Sequence, residues 1–156
     1  MQSPFSLEGK TILVTGAAGT GIGAGVCAAI VEAGGRVVVN ARTQAAAEAA
    51  AARLPGNQLI AVGDISSEAN VLALFATLED QGIVLDGLVN NAGVGLSTPS
   101  HLASSAQFDR LYGVDIRGLW LMTRGFVNQL LPAGRPGAVV NVSSVHAHST
   151  IGQYAL

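Results

Sequence analysis

The chain has 156 residues, enough for one domain with a hydrophobic core and too few for two ordinary domains. It is 49% hydrophobic and 12% charged, with a formal net charge of −2, so it offers no basic surface for nucleic acid. Its first ten residues lack the features of a signal peptide, and no apolar run approaches the length of a membrane span, so we expect a cytoplasmic protein without a membrane partner.

Short β-branched runs alternate with helical patterns along the chain. The first predicted strand, 11–15, leads into a glycine cluster and then into a helix over 22–33 that ends at a Gly-Gly pair. The later strands are predicted at 36–40, 58–62, 87–90 and 138–142, and the later helices at 44–54, 68–80 and 105–131. This alternation is typical of an α/β protein with a doubly wound parallel sheet and helices on both faces.

The glycine cluster after the first predicted strand is a candidate phosphate-binding turn. Glycines can adopt φ angles closed to other residues, and they let backbone N–H groups approach an anion at the positive end of the following helix. The candidate binding residues of this turn are Gly16, Gly19, Thr20, Gly21, Ile22 and Gly23. A glycine-rich turn alone is weak evidence because many tight turns bind nothing, so the interpretation depends on the rest of the chain.

The predicted helix over 105–131 is apolar on nearly every side. Arg110, Arg117 and Arg124 recur in it at seven-residue spacing, which predicts one solvated stripe. The sheet can cover only one apolar flank of such a helix. We therefore expect additional chain or a second subunit on the other flank, and we predict a homo-oligomer.

Four motifs occur in order at the ends of predicted strands: Thr15-Gly16 through Gly21-Ile22-Gly23, Gly63-Asp64, Asn90-Asn91-Ala92-Gly93, and Asn141-Val142-Ser143-Ser144. Together these motifs resemble the short-chain dehydrogenase/reductase family, whose members bind NAD or NADP on a Rossmann-type sheet. The resemblance covers essentially the whole chain, and it implies one nucleotide-binding domain over 1–156 with strands one to five of the family fold. Ligands of open parallel sheets bind at the carboxyl ends of strands, where all these motifs are predicted to lie.

The resemblance assigns further cofactor contacts to residues after the third and fourth strands. Asp64 corresponds to the acidic residue with which the family binds the adenine amino group, and Asn90, Ala92 and Gly93 belong to the family's Asn-Asn-Ala-Gly motif. Each has an ordinary structural alternative, because asparagine forms turns readily and Asp64 could cap the following helix. We favour the cofactor roles because the motifs occur together.

The residues after the second strand favour NADP over NAD. Enzymes that bind the ribose hydroxyls of NAD usually carry a carboxylate at this place, whereas the 2′-phosphate of NADP requires arginine or lysine. Here Asn40-Ala41-Arg42-Thr43 contains no acid, so Arg42 is the candidate phosphate ligand, and NAD remains the second possible cofactor. The alternative is that Arg42 is a solvated cation at a helix start.

The chain departs from the family pattern at two cofactor-proximal positions. Four residues, 17–20, separate Gly16 from Gly21 where the family has three, and Gly19 lets the longer loop form without strain. Asp115 stands where the family has a catalytic asparagine. It is therefore a candidate catalytic residue, or alternatively a helix residue paired with a nearby cation.

The family's catalytic residues are only partly present in the sequence. Ser144 corresponds to the serine that polarises the substrate carbonyl, but the family also needs a tyrosine followed four positions later by lysine, because an unperturbed tyrosine with a pKa of about 10 is a poor base. Tyr154 does not have the family spacing, and the string Gly152-Gln153 places the expected tyrosine and lysine beyond Leu156. We therefore expect a C-terminally truncated, catalytically inactive part of a longer parent.

The resemblance implies that the intact parent is an NAD(P)-dependent oxidoreductase, which transfers a hydride between its cofactor and a small-molecule carbonyl or secondary alcohol. Two alternatives remain. One is a non-catalytic dinucleotide-binding module or pseudoenzyme, and the other is a Rossmann-type binder of another class, such as a methyltransferase or an epimerase. His146 and His148 have no cysteine or carboxylate nearby in the sequence, so we predict no metal site.

Overall fold

The computed structural model describes residues 4–149 and contains, within that range, one sheet of five parallel strands. The strands are β1 (Thr11–Val14), β2 (Arg36–Ala41), β3 (Leu59–Val62), β4 (Gly87–Asn90) and β5 (Ala138–Asn141). Their spatial order is β3-β2-β1-β4-β5, so the chain winds outward from β1 and then returns to add β4 on its other side. The predicted doubly wound, Rossmann-type sheet is confirmed, and its reversal point is the crevice between the carboxyl ends of β1 and β4.

Helices connect these strands. They are α1 (Ile22–Glu32), α2 (Gln44–Ala51), α3 (Glu68–Asp80), α4 (Ser105–Tyr112) and α5 (Leu119–Leu130). The largest departure from the predicted bounds is α2, which ends at Ala51 rather than at 54. Its chain continues in a tighter turn, in which Leu54 donates its amide to Ala51, because the residue before Pro55 disfavours the α conformation. No helix within residues 4–149 is long and apolar enough to cross a membrane.

The helix predicted over 105–131 is continuous but changes pitch in its middle. A π-helical segment, Gly113–Gly118, joins α4 to α5. A Cβ atom at Gly118 would lie 3.0 Å from the side chain of Ile65, so this segment packs directly against the loop after β3. Such π-helical insertions are frequent at functional sites.

The strands alternate their side chains between two cores. Leu13 of β1 and Val38 of β2 pack on one face of the sheet with apolar residues of α3 and α5. Val14 and Val39, the next residues along the same strands, pack on the opposite face with residues of α1 and α2. Because both faces are covered, the central strands are apolar at nearly every position, as is typical of parallel sheets.

The outer flank of the α4–α5 segment carries an apolar stripe. Phe108, Tyr112, Ile116 and Trp120 follow one another at four-residue spacing and are 44–53% exposed. The rings of Phe108 and Tyr112 are stacked, with centroids 5.4 Å apart. The sheet therefore covers one flank of the segment, as predicted, and leaves this stripe at the surface of the described chain.

The arginines of this segment do not form a purely solvated stripe. Arg117 Nη2 lies 3.1 Å from Glu68 Oε2, and Arg124 Nη2 lies 2.5 Å from Glu68 Oε1. Arg124, chiefly through its hydrogen bond, lowers the pKa of Glu68. The side chains of Arg117, Arg124 and Glu68 are all partly exposed. Even so, the two ion pairs attach the π-helical segment and α5 to the first turn of α3.

Asp86 joins the amino ends of β1 and β4, opposite to the crevice. Its carboxylate accepts the amide of Thr11 at 3.0 Å and lies 3.3 Å from Lys10 Nζ and 3.1 Å from Arg135 Nη2. Burial by itself raises the pKa of Asp86, but the Thr11 amide and the two cations outweigh burial and hold the pKa below its usual value.

We expect Asp86→Asn to lower the free energy of unfolding at pH 7 by about 1–2 kcal/mol, because a charged acceptor is lost. A lowered native pKa contributes stability that is present above the unfolded-state pKa of about 4 and is lost as the pH falls through the native value. In urea unfolding, the difference from wild type should therefore shrink below about pH 4. Glu79→Gln, at an exposed position of α3, is the control and should change stability by less than about 0.5 kcal/mol. A difference that stays constant with pH would contradict this role of Asp86.

Candidate functional site

An open cleft of about 1210 Å³ lies at the carboxyl ends of the strands. Its walls are the glycine turn after β1, the residues that follow β2, β3 and β4, and one side of α4 and the π-helical segment. The sequence-predicted site residues that line it are Gly16, Gly19, Gly21, Ile22, Gly23, Arg42, Asp64, Ala92 and Gly93. Motifs that are far apart in the sequence therefore meet at one surface.

Two glycines of the turn are required by packing within the protein. Gly16 has a φ of +65°, and a Cβ atom there would lie 2.7 Å from the Cα atom of Ala92. A Cβ atom at Gly23 would overlap the side-chain amide of Asn91. The glycine turn is therefore pressed against the loop after β4, and larger residues at these positions would separate the two.

The other two glycines face open space. The nearest atom to a Cβ placed at Gly19 would be 3.9 Å away, and a Cβ at Gly21 would meet nothing within 4 Å. Gly21 precedes α1 and provides no side-chain cap, so the first amides of the helix stay available. Ile22 is 66% exposed beside them. The turn thus presents backbone amides and an apolar side chain to the cleft, which suits a phosphate attached to a larger organic group.

Thr15 holds the two sides of the crevice together, although it was not among the site residues predicted from the sequence. It is fully buried at the end of β1, and its Oγ1 accepts the amides of Asn91 at 2.9 Å and of Ala92 at 3.0 Å. In return, Asn91 Nδ2 donates to the Thr15 carbonyl at 2.9 Å. These bonds connect the ends of β1 and β4 at the reversal point and set the position of the loop that follows β4.

Asn40 has the same function between β1, β2 and β3. Its side chain is 2% exposed, and its Nδ2 donates to the carbonyls of Ala61 at 3.0 Å and Gly63 at 3.2 Å. The backbone carbonyl of Asn40 accepts the amide of Ala17 at 3.1 Å. A polar residue at the last position of a buried apolar run is the signal that could have identified both Asn40 and Thr15, since such a group must find a partner at the strand end.

Asp64 lies on the cleft wall after β3 as a charged acceptor. Its Oδ1 accepts the hydroxyl of Ser66 at 2.7 Å and the amide of Ser66 at 2.9 Å. The Ser66 hydroxyl has the largest effect on the pKa of Asp64 and lowers it against partial burial, and the Ser66 amide and the charge of Arg42 add to the decrease. Arg117 Nη1 in turn donates to the Ser66 carbonyl at 2.9 Å, which holds the loop against the π-helical segment.

Arg42 follows β2 on the same wall, exposed to solvent. Within the part of the chain that the structure describes, its guanidinium makes no hydrogen bond or ion pair. An arginine without a protein partner beside an anion-binding turn is available for a second anionic group.

Asn90 lies below the cleft rather than on its wall. Its side chain is 3% exposed, and Nδ2 donates to Thr123 Oγ1 at 3.1 Å and Asn141 Oδ1 at 2.9 Å. Its Oδ1 is buried without a hydrogen-bond partner among residues 4–149. In the structure Asn90 therefore connects β4 to β5 and α5, while the neighbouring Asn91 reaches the glycine turn. Thr20, another predicted site residue, is exposed beside the cleft and does not line it.

Asp115 lies in the π-helical segment and contacts the loop after β4. Its Oδ1 accepts the amide of Val94 at 2.9 Å and would lie 3.5 Å from a Cβ placed at Gly93. Partial burial raises the pKa of Asp115, and the Val94 amide opposes this increase. Asp115 pairs with no cation among the described residues, so the structure does not support the alternative of a salt-bridged helix residue.

We expect Asp115→Asn to stabilise the chain at pH 7 by about 1 kcal/mol or less, because asparagine keeps the bond from Val94 without a buried charge. A raised native pKa means that the wild type loses stability as the pH rises above the unfolded-state value of about 4. The stability advantage of Asp115→Asn over the wild type, measured by thermal unfolding, should therefore disappear below about pH 4. Asp109→Asn, at an exposed position of α4, is the control. Destabilisation by Asp115→Asn at pH 7 would contradict this assignment.

Ser144 lies just beyond β5, is exposed, and is not among the residues that line the cleft. Its Oγ accepts the amide of His146 at 3.2 Å at the start of a 3₁₀ turn, Val145–Ala147. The structure therefore brings neither Ser144 nor Asp115 into the cleft wall. Gly152, Gln153 and Tyr154 lie outside the described residues. Within residues 4–149 no group of three or more His, Cys, Asp or Glu side chains could hold a metal ion.

The sequence is similar to those of proteins of one known family. The family model of short chain dehydrogenases matches residues 10–156. The chain is 39% identical over 138 residues to an L-xylulose reductase of Homo sapiens, which covers 88% of this chain and 54% of that protein. It is 37% identical over 147 residues to a galactitol 2-dehydrogenase of Rhizobium johnstonii, with 92% of this chain and 56% of that protein covered. The chain therefore spans little more than half the length of these relatives.

Solved structures agree with this match. A gluconate 5-dehydrogenase from Burkholderia cenocepacia in complex with NADP and tartrate superposes with a TM-score of 0.89 at 27% identity, covering 97% of this chain and 60% of that one. A 3-ketoacyl-(acyl-carrier-protein) reductase from Brucella melitensis complexed with NADH gives 0.85 at 37% identity, covering 96% and 63%. With the match to the family model over 10–156, these similarities show that the chain belongs to the short-chain dehydrogenase/reductase family.

Proposed function

We propose that this chain is the NADP-binding part of an oxidoreductase that interconverts a carbonyl and a secondary alcohol. The observation that carries the proposal is the pairing, in one cleft, of a glycine turn whose amides face open space and an arginine, Arg42, that makes no hydrogen bond or ion pair within residues 4–149. Pyrophosphate and 2′-phosphate are the two anionic parts of NADP, and each would find one of these groups. The relatives named above include reductases and dehydrogenases of sugars and polyols, which supports a polyhydroxylated substrate.

The cleft residues fit the rest of the cofactor. The charged Asp64 can accept a hydrogen bond from the adenine amino group. The small residues Ala92 and Gly93 leave room beside the turn for a ribose of the cofactor. NADH lacks only the 2′-phosphate, so it should bind through the same contacts apart from Arg42. When bound, the nicotinamide supplies hydride transfer, and the protein supplies position and electrostatics.

The chain's own residues supply little of the proton chemistry. Ser144 can donate its hydroxyl to a substrate oxygen, but the family's tyrosine needs a nearby cation to lower its pKa. Lys10 is the only lysine in the sequence, and it lies at the amino end of β1, bound to Asp86. We therefore propose that the 156-residue chain binds NADPH without catalysing carbonyl reduction.

Calorimetric titration of the purified chain tests the binding part of the proposal. NADPH should bind more tightly than NADH, and S-adenosylmethionine, the probe for a methyltransferase, should not bind. Carbonyl-dependent oxidation of NADPH, followed with a ketose such as L-xylulose, should remain at background. Binding of S-adenosylmethionine in place of NADPH would reject the proposal, and turnover by material of verified mass would reject the proposed inactivity.

The second candidate is a non-catalytic dinucleotide-binding module. It is favoured by Asp115, which carries a carboxylate in a partly buried position where the family has a neutral asparagine. The native gene product distinguishes the two candidates, since an oxidoreductase needs a Tyr-x-x-x-Lys pair after Ser144 and a binding module does not.

We also propose that two copies of the chain associate through the apolar stripe at Phe108, Tyr112, Ile116 and Trp120. Burial of half-exposed aromatic side chains stabilises such contacts. Sedimentation should show a dimer for the wild type and a monomer for Trp120→Glu. A wild-type monomer at all concentrations would reject this assembly. The cytoplasmic location expected from the sequence stays a prediction.

A further inference from the structure

We infer that Arg53 is a positioning residue that holds the lengthened glycine turn with its amides toward the cofactor; this inference rests on the proposed function. Arg53 lies in the turn after α2, far from the glycine turn in sequence. Its Nη2 donates to the carbonyl of Ala18 and to the carbonyl of Gly19, both at 2.9 Å. Arg53 therefore binds the turn where the chain has one residue more than the family pattern.

The geometry of the peptide unit links these carbonyls to the cofactor side. In a trans peptide the C=O and the following N–H point in opposite directions, and all peptides of the described chain are trans. Holding the carbonyls of Ala18 and Gly19 toward Arg53 therefore directs the amides of Gly19 and Thr20 away from it. Within residues 4–149, the amides of Gly19, Thr20 and Gly21 donate no hydrogen bond to the protein. These unpaired donors are the groups that an anion requires.

The two ends of the turn are fixed by the close packing of Gly16 and Gly23 against the loop after β4, but its middle is not. A Cβ at Gly19 or Gly21 would meet no side chain, so packing at these two residues does not fix their peptides. If a peptide rotated, its carbonyl dipole would point at the phosphates and repel them. The guanidinium prevents this rotation by binding both carbonyls with one nitrogen.

Arg53 and Arg42 should be separable by ligand. Arg42 is proposed to bind the 2′-phosphate, so of the two dinucleotides its substitution should lower the affinity for NADPH alone. Arg53 acts on the turn that receives the pyrophosphate, which NADPH and NADH share. Adenosine 2′-monophosphate has the 2′-phosphate and no pyrophosphate, so it should be insensitive to Arg53.

The test is Arg53→Met in the full chain, with Arg36→Met as the matched control. Arg36 is an exposed arginine at the amino end of β2, remote from the cleft. We expect Arg53→Met to weaken the binding of NADPH and of NADH by a similar factor of about 10. The affinity for adenosine 2′-monophosphate should stay within about twofold of the wild-type value. In the ligand-free chain, the ¹⁵N–¹H resonances of Gly19 and Thr20 should shift in Arg53→Met only.

Three results would overturn the inference. Unchanged affinities would show that the turn needs no support from Arg53. Weaker binding of NADPH alone would show that Arg53 is a ligand of the 2′-phosphate. Equally weaker binding of all three ligands, together with a lower melting temperature, would show that Arg53 only stabilises the fold. If the wild type binds neither dinucleotide, the proposed function fails, and the resonances of Gly19 and Thr20 in the ligand-free chain still decide whether Arg53 orients the turn.

Discussion

Gly21→Val is expected to weaken NADPH binding strongly while the chain still folds. A Cβ at Gly21 would meet no protein atom within 4 Å, and the backbone of this residue is extended with a φ of −88°, so valine can be accommodated. The free space belongs to the cleft, and the valine side chain would occupy the position proposed for the pyrophosphate. We expect a loss of affinity on the order of 100-fold, measured by calorimetry. The weaker N-cap should cost about 1 kcal/mol of stability or less.

Gly25→Val provides a matched control for this substitution. Gly25 is also exposed, lies one turn further along α1, and would place its Cβ in equally open space, but it does not line the cleft. Its variant should bind NADPH as the wild type does. Equal affinities for Gly21→Val and Gly25→Val would show that the glycine turn does not receive the cofactor.

Arg42→Leu is expected to remove the preference for NADPH over NADH. Hydrogen bonds to charged groups contribute about 1.5–3 kcal/mol, so the affinity for NADPH should fall about 10- to 100-fold. The affinity for NADH should stay within about twofold, because it has no 2′-phosphate for Arg42 to bind. The guanidinium makes no hydrogen bond or ion pair among the described residues, so the substitution breaks no such contact within the fold.

Arg36→Leu is the control for Arg42→Leu, since it removes the same charge from an exposed position at the opposite end of β2. It should leave both dissociation constants unchanged at moderate ionic strength. Parallel weakening of NADPH and NADH by Arg42→Leu would assign Arg42 to the shared part of the cofactor. An unchanged preference would make it the solvated helix-start cation that was the alternative interpretation.

Most of the fold was predictable because its determinants are local. Apolar strand runs and the Gly-Gly stop after α1 act within a few residues. So does Ser67, whose side chain caps α3 by accepting the amide of Asn70. The alternation of elements then restricts the sheet to parallel crossovers. The π-helical segment Gly113–Gly118 was not predictable in this way. Its Gly118 packs closely against Ile65, and such a contact between residues far apart in sequence exists only in the folded chain.

The candidate site was predictable in its motifs and not in its supporting contacts. The positions of Gly16 and Arg42 follow from strand ends, which any parallel sheet brings together. The bonds that Thr15, Asn40 and Arg53 make join residues far apart in sequence, and no spacing encodes them. The side-chain contacts of Asn90 were likewise not predictable, because the motif does not say which side of the strand it faces; its side chain bonds Thr123 and Asn141 below the cleft.

The most direct measurement is a map of amide chemical shifts when NADP⁺ is added to ¹⁵N-labelled chain. We expect the largest changes at Gly19–Gly23, Arg42 and Asp64, with little change at the opposite end of the sheet around Lys10 and Asp86. Perturbations confined to other surfaces, or none at saturating NADP⁺, would contradict the assignment of this cleft as the cofactor site.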